Sequence, residues 1–245
     1  MLRQTLSAMF IAFAALCLQS FTLVIDAGHG GKDPGALGRR GKEKNINLAV
    51  AKALGQLVES NMPDVKVVYT RKSDVFVELD ERARIANRAK ADLFVSIHTN
   101  ALPGRAQGRG SETYTLGMHR AADNLAVAKR ENSVITLERD YESRYEGFDP
   151  SSAESYIIFE LMQDVNMQQS VRLAQLVQRQ LRAAGRPDKG VHQAGFLVLR
   201  ATSMPSCLIE LGYITTPAEE DYLLSDAGTR QLAKAIYEAI RQYKN

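Results

Sequence analysis

The chain has 245 residues, which is enough for one domain or a tightly packed pair of domains. Hydrophobic residues make up 45% of it and charged residues 24%, proportions that exclude collagen-like, disordered and multi-span membrane proteins. The formal net charge of +3 is too small to indicate a nucleic-acid-binding protein, which needs a concentrated basic surface. With only 4 His and 2 Cys, any metal site must use much of the histidine or rely on carboxylates.

The N-terminus has the features of a secretory signal peptide, predicted to span residues 1–20. Arg3 provides a positive head, and an uninterrupted apolar run extends from Met9 to Leu18. That run is shorter than the ~20 residues that a membrane span needs. The alternative, a buried N-terminal helix, is disfavoured because a strand begins at Phe21. We therefore expect an exported chain, periplasmic or in the cell envelope, with no transmembrane segment after cleavage. Cys207 then remains as its single cysteine, so no internal disulfide is expected.

The first half of the mature chain alternates strand-like and helix-like segments. Apolar residues from Ile46 to Leu57 recur at helical spacing (i, i+3, i+4, i+7, i+8, i+11). Ser111–Leu116 alternates as a half-exposed strand does. The other predicted elements are strands at Phe21–Asp26, Val65–Thr70 and Asp92–His98 and helices at Asn45–Glu59 and Glu78–Ala91.

The second half is richer in helical patterns. Helices are predicted at His119–Ile135 and Ala153–Ala184, on either side of the polar segment Thr136–Ser152, with a closing helix that includes Leu232 to Tyr243. Strands are predicted at Phe196–Leu199 and Pro205–Glu210. The whole pattern predicts one α/β domain over residues 21–245, with a mostly parallel twisted sheet flanked by helices on both faces.

Three predicted strands end in, or are closely followed by, polar residues suited to metal chemistry: His29, His98 and Glu210. Ligands bind at the carboxyl ends of parallel strands, so these side chains should meet at one edge of the sheet. Glu43 should join them at the start of the first helix, because the six glycines between Gly28 and Gly41 permit a tight chain path.

Two imidazoles and one carboxylate make the His₂Glu set of catalytic zinc sites, and Glu210 would then act as general base. Each residue also has an ordinary explanation. A lone His is more often structural, Glu43 alone would be a helix-start carboxylate, and Glu210 would be a buried structural acid. The glycine-rich loop lacks both phosphate-loop spacings. The convergence of the four residues at one edge favours the metal site.

The sequence resembles a known family in an ordered set of motifs: TLVIDAGHGGKDPGA, KEKNINLAVA, Thr70-Arg71, ADLFVSIHTNA and PSCLIELGYITTPAEE. These are similar to the zinc-dependent N-acetylmuramoyl-L-alanine amidases of the Amidase_3 type, especially the cell-division amidases. The resemblance implies zinc ligands at His29, Glu43 and His98, a catalytic Glu210, and a peptidoglycan substrate. The bond cleaved would be the amide between N-acetylmuramic acid and the stem-peptide L-alanine.

The resemblance also implies regulation. In the division-associated branch, a helical insertion after the strand of the second histidine blocks the zinc with an acidic side chain. Residues 119–170 are long enough for such an insertion. Glu131 is the best candidate for the blocking acid, with Glu138 and Glu160 as alternatives, and an activator protein would displace the helix. The alternative is an ordinary covering helix whose acids face water.

Two further residues have open roles. Asn100 would either orient substrate or a ligand, or cap the end of its strand. Arg71 would either hold the rim together by pairing with a carboxylate or contact substrate. Two other functions also remain open. One is another exported zinc peptidase or deacetylase acting on wall fragments, and the other is a non-catalytic wall-binding protein.

Overall fold

The computed structural model describes residues 20–104, 106–119, 121–161 and 165–245. A six-stranded sheet with the order β2-β1-β3-β6-β4-β5 forms the centre of the fold. β1, β2, β3 and β6 run parallel, whereas β4 is antiparallel to β6 and parallel to β5. The strands are β1 (Phe21–Ala27), β2 (Val65–Tyr69), β3 (Leu93–Asn100), β4 (Ser111–Leu116), β5 (Asp188–Ala194) and β6 (Ser206–Tyr213).

Helices connect and cover these strands. They are α1 (Glu43–Asn61), α2 (Leu79–Arg88), α3 (Ala122–Asn132), α4 (Tyr141–Arg144), α5 (Ile158–Leu161), α6 (Met167–Ala183), α7 (Leu197–Arg200), α8 (Pro217–Leu223) and α9 (Asp226–Lys244). Two 3₁₀ helices lie at Ser133–Leu137 and Glu154–Ile157. None of the helices within the described ranges is both long and apolar enough to cross a membrane. Of the signal peptide predicted at residues 1–20, all but the last residue lie outside the described ranges.

Both faces of the sheet are buried under helices, as the sequence predicts. Leu23 and Ile25 of β1 point into a core shared with α1, α6 and α9. Val24, between them, points into a second core shared with α2, α7 and the segment after β4. Cys207 is buried in the first core as a free thiol. The prediction of a single α/β domain with a mostly parallel sheet is confirmed.

Three predictions for individual elements are wrong. Phe196–Leu199 is no strand: Leu197 begins the short helix α7, and the strand β5 precedes it. A short buried apolar run fits either element, so periodicity does not separate them. Ala153–Ala184 is not one helix but a 3₁₀ turn, α5 and α6. β4 is fully buried rather than half exposed, because Gln178 of α6 hydrogen-bonds Thr113 and covers that face.

The segment between β4 and α6 is part of the folded core. Phe148 and Tyr156 stack edge to face with ring centroids 5.1 Å apart, and Phe159 packs beside them. At the end of α3, Asn132 donates to Gly195 O at 2.7 Å and accepts from Leu197 N at 2.9 Å. These contacts therefore fix the position of α3 relative to the sheet.

Candidate metal centre and catalytic site

Four buried polar side chains meet where β1 and β3 end and α1 begins. His29 lies two residues after β1, Glu43 is the first residue of α1, and His98 lies near the end of β3. Glu131, from the last turn of α3, is the fourth member. One ligand atom from each lies within 4.8 Å of the others, so the predicted His₂Glu set is assembled together with the predicted blocking acid.

The separations within this cluster fit a tetrahedral metal ion. His29 Nε2 lies 3.1 Å from Glu43 Oε1 and 3.0 Å from Glu131 Oε2. His98 Nδ1 lies 3.3 Å and 2.8 Å from the same two oxygens. Ligands of a tetrahedral zinc ion lie roughly 3.3 Å apart. His29 Nε2, His98 Nδ1 and Glu131 Oε2 are buried without a hydrogen-bond partner. This indicates that the three atoms point at a common centre rather than at one another.

The glycines of the loop after β1 make this close approach possible. A Cβ at Gly28 would lie 2.4 Å from His98 Nε2, and one at Gly35 would lie 2.7 Å from Glu43 Oε2. His29 itself has a φ of 62°, in the left-handed region that is costly for a non-glycine residue. Such strain is maintained at functional sites by the surrounding contacts.

Hydrogen bonds orient the ligands from behind. Asp33 Oδ2 lies 2.7 Å from His29 Nδ1, which turns the other ring nitrogen toward the centre, as second-shell carboxylates do in metal sites. Glu43 accepts from Thr99 N at 2.9 Å and from Asn47 Nδ2 at 3.2 Å through Oε1, and from Ala36 N at 2.8 Å through Oε2. Asp33 and Asn47 are not among the predicted site residues, because a loop acid and a helix amide carry no distinctive pattern.

The electrostatics of the cluster favour positive charge. Burial alone would lower the pKa of His98, but the Glu131 and Glu43 carboxylates outweigh it and raise the pKa to about 9. For His29 the same opposition, with Glu43 and Asp33, places the pKa well above its usual value. Burial would raise the pKa of Glu43 and of Glu131, yet the facing imidazoles lower both. The centre therefore stabilises a cation, whether imidazolium or a bound metal ion.

Glu210 lies beside this centre on β6, where its Cα pairs with that of His98 in β3 and that of Glu112 in β4. It is 1% exposed, and its Oε2 has no hydrogen-bond partner. Burial, reinforced by the Glu131 carboxylate, raises its pKa well above the usual range, while Arg130 opposes the shift. A carboxyl group with a raised pKa is suited to both accepting and donating a proton.

Arg130, which the sequence analysis missed, connects Glu131 to the rest of the site. Its Nε lies 2.9 Å from Glu131 Oε1, and its Nη2 lies 3.3 Å from Glu210 Oε1. Its Nη1 donates to Asn100 Oδ1 and to Ala101 O, both at 2.9 Å. An Arg-Glu pair on a helix is usually a solvated surface feature, so no sequence signal points to it.

Arg71 and Asn100, the two predicted rim residues, both lie at the site. Asn100 bridges Arg130 and Glu112, to which its Nδ2 donates at 2.5 Å. Arg71 donates to four backbone carbonyls, those of Ala27, Gly28 and Lys44 at 2.8 Å and that of Ser73 at 3.2 Å. The expected carboxylate partner of Arg71 is therefore wrong: its donors go to backbone carbonyls of β1, the loop after it, α1 and the segment after β2.

Of the two alternative blocking acids, Glu138 lies away from the centre. Glu138 accepts from Leu79 N and from Tyr145 OH, each at 2.8 Å, and so caps α2. The side chain of Glu160 lies outside what the structure describes.

A buried ion pair beneath the site was also missed. Arg82, 1% exposed, donates to Asp26 Oδ1, Ala27 O and His29 O at 2.8–2.9 Å. Asp26 also accepts from Thr70 Oγ1 at 2.6 Å and from Ser96 Oγ at 2.7 Å. This network fixes the backbone that carries the first histidine.

The chain is similar to amidases in sequence and in structure. Residues 23–242 match the family model Amidase_3, described as N-acetylmuramoyl-L-alanine amidase. Over 225 residues the chain is 32% identical to the amidase AmiA of Escherichia coli K12, covering 90% of this chain and 75% of AmiA. It spans 52% of each of two AmiC relatives, from Escherichia coli O6:H1 and Neisseria meningitidis.

Solved structures agree with this. An N-acetylmuramoyl-L-alanine amidase from Clostridium difficile 630 is 30% identical, with a TM-score of 0.67 over 92% of this chain and 97% of that one. The CwlD amidase of Clostridioides difficile, solved in complex with the GerS lipoprotein, has the same fold, at 24% identity and a TM-score of 0.66 over 91% of this chain and 98% of CwlD. The chain therefore belongs to the Amidase_3 family of N-acetylmuramoyl-L-alanine amidases, enzymes that act on peptidoglycan.

Proposed function

We propose that the chain hydrolyses the amide between the lactyl group of N-acetylmuramic acid and L-alanine of the stem peptide, using a zinc ion held by His29, Glu43 and His98. Family membership supports the reaction. The single observation that carries the zinc site is the convergence of four buried ligand atoms on one centre, where His29 Nε2 and His98 Nδ1 have no hydrogen-bond partner. Imidazole and carboxylate donors at tetrahedral separations suit zinc better than the oxygen-seeking ions.

When bound, zinc supplies Lewis acidity for the amide carbonyl and lowers the pKa of a water molecule at the site. Glu210 removes a proton from the attacking water and delivers it to the nitrogen of the departing L-alanine. The raised pKa of Glu210 supports the second step, since the protonated form must persist long enough to donate. Asp33 keeps His29 in the tautomer whose Nε2 faces the centre.

The resting chain is autoinhibited in this proposal. Glu131 occupies the ligand position that water and substrate need, and Arg130 pairs with the catalytic carboxylate. Both must leave together because they are neighbours on α3. A partner protein that displaces α3 is the proposed activator, and the complex of the related amidase CwlD with the GerS lipoprotein supports the idea that this fold accepts a protein partner. We also propose that residues 1–20 direct export to the periplasm or cell envelope.

The test combines metal analysis with hydrolysis of purified sacculi. The zinc-loaded protein should hold one zinc per chain, and the basal hydrolysis that remains in the autoinhibited state should be lost on chelation and regained on zinc addition. His98→Ala should lose both zinc and hydrolysis, whereas the control variant His119→Ala should keep both. Full hydrolysis by a zinc-free chain would refute the proposal. Release of N-deacetylated glycan or of shortened peptides, instead of intact stem peptides, would assign the chain to another class of wall hydrolase.

A further inference from the structure

β5 is an edge strand: within the described ranges it pairs only with β4. Ala194 O accepts from Gly117 N just after β4, so Ala194 turns its backbone groups toward β4. Because these directions alternate along a strand, His192 also faces β4, whereas Val191 and Gln193 direct their N–H and C=O groups outward. Such a row of outward-facing groups is a template on which a further strand can pair.

A groove follows this free edge, between β5 and α6. It consists of a cavity of about 590 Å³ and one of about 340 Å³, which share Gln175 and Val191 as lining residues. Thr115 lines the smaller cavity; it is fully buried, and its Oγ1 has no hydrogen-bond partner in the described part of the chain. Buried polar atoms normally have such a partner, so this hydroxyl points to a polar occupant of the groove.

The groove carries uncompensated positive charge. α6 contains three arginines and no acidic residue, and two of the arginines, Arg179 and Arg182, line the groove. Both are exposed, and neither forms an ion pair with any residue that the structure describes. Arg179 donates to Gln242 Oε1 at 2.7 Å, a neutral acceptor that orders the guanidinium without neutralising it. Asp188, which also lines the groove, already accepts from Gln178 Nε2 at 2.8 Å.

We propose that the outer edge of β5 binds an extended acidic segment of another protein, which joins the sheet as a seventh strand. Backbone hydrogen bonds to Val191 and Gln193 hold the segment, and its carboxylates face Arg179 and Arg182.

Two other occupants fit the groove less well. A stem peptide of peptidoglycan has D-residues and a γ-linkage, which break the regular repeat of backbone groups that a strand ladder needs. A second copy of this chain, paired strand to strand by two-fold symmetry, brings two identical arginine-bearing α6 helices side by side. An acidic segment made of L-residues meets neither obstacle.

The binding test uses three labelled, end-blocked heptapeptides, the length of β5, with the zinc-loaded chain. The acidic probe alternates valine and glutamate, the basic probe has lysine in place of glutamate, and the third is the acidic probe with every backbone nitrogen methylated. In fluorescence anisotropy, the basic probe should bind at least about tenfold more weakly than the acidic one, because attraction to two arginines becomes repulsion. The methylated probe should also bind at least about tenfold more weakly, because it has no N–H donors.

Variants of the groove test the location. Arg179→Ala and Arg182→Ala should each weaken binding of the acidic probe roughly two- to fivefold, the range of an exposed ion pair. Lys52→Ala, which removes an exposed cation of α1 outside the groove, is the matched control and should bind as the wild type does. Hydrogen exchange followed by NMR should show the Val191 and Gln193 amides slowed at least about tenfold by saturating acidic probe, an effect that side-chain contacts alone do not produce.

Four results would overturn the proposal. Equal binding of the acidic and methylated probes, or unchanged exchange at both amides, would show that no strand is added. Tighter binding of an L-alanyl-γ-D-glutamyl peptide than of the acidic probe would make the groove a substrate site. Concentration-dependent dimerisation that Arg182→Ala strengthens would make it a contact between copies of the chain. None of these measurements depends on hydrolysis, so this proposal and the proposed function fail independently.

Discussion

Replacing Glu131 should raise basal hydrolysis of sacculi in the absence of any activator. Its Oε2 contacts both histidines, and its Oε1 contacts Arg130, so the substitution removes the only carboxylate by which α3 engages the candidate metal ligands among the described residues. A hydrogen bond to a charged group contributes about 1.5–3 kcal/mol. Losing one such net contribution increases the ratio of open to closed molecules by roughly 10- to 150-fold.

The assay is dye release from labelled sacculi by zinc-loaded protein at equal concentrations. Glu131→Ala and Glu131→Gln should both be faster than the wild type, by up to that factor, and the rate should level off once every molecule is open. Glu142→Ala, an exposed acid of the same segment, is the matched control and should behave as the wild type. A rate for both Glu131 variants equal to or below that of the wild type, with zinc still bound, would refute the blocking role.

Three other outcomes follow from the same contacts. Glu210→Gln should slow hydrolysis by about 10²- to 10⁴-fold while zinc stoichiometry stays unchanged; loss of zinc would instead make it a ligand. Asn132→Ala removes three buried hydrogen bonds and should lower stability by about 2–3 kcal/mol, measured by urea unfolding; an unchanged midpoint would show that α3 is not anchored there. Burial alone would raise the pKa of Asp26, but Arg82, Ser96 and Thr70 lower it. The Asp26 carboxylate therefore stabilises the fold above its unfolded-state pKa of about 3.9. This stabilisation is lost as the pH falls through the lower folded-state pKa. Urea unfolding of Asp26→Asn should therefore show about 3–5 kcal/mol lower stability at pH 7 and a weaker pH dependence below 4; an unaltered pH profile would contradict the ion pair.

The residues at strand ends were predictable because strand ends and parallel topology follow from local patterns. His29, His98 and Glu210 each belong to or follow a short apolar run, and parallel strands bring such positions to one edge. Glu43 was predictable because the glycines of the preceding loop indicate a tight turn of the chain that brings Glu43 close to His29. The buried central strands were predicted from short apolar runs, and the helices α1 and α9 from their apolar periodicity.

The residues that support the ligands were not predictable in this way. Arg82 acts through contacts with the distant strand β1, and Asp33 contacts His29 within one irregular loop; neither their spacing nor their type distinguishes them from surface charges. β5 was missed because its sequence, DKGVHQA, has little apolar content: it is an edge strand paired only with β4, so most of its side chains remain partly exposed. Arg130 was missed because its role depends on where α3 docks, which tertiary packing decides.

The most direct test of the account is mass spectrometry of muropeptides released from sacculi by zinc-loaded Glu131→Ala. The expected products are intact stem peptides with a free L-alanine amine, together with glycan strands whose N-acetylmuramic acid retains its lactyl carboxylate. Neither product should appear when Glu210→Gln is added to the same chain. Peptides cut within the stem, or glycan that has lost acetyl groups while keeping its peptides, would contradict it.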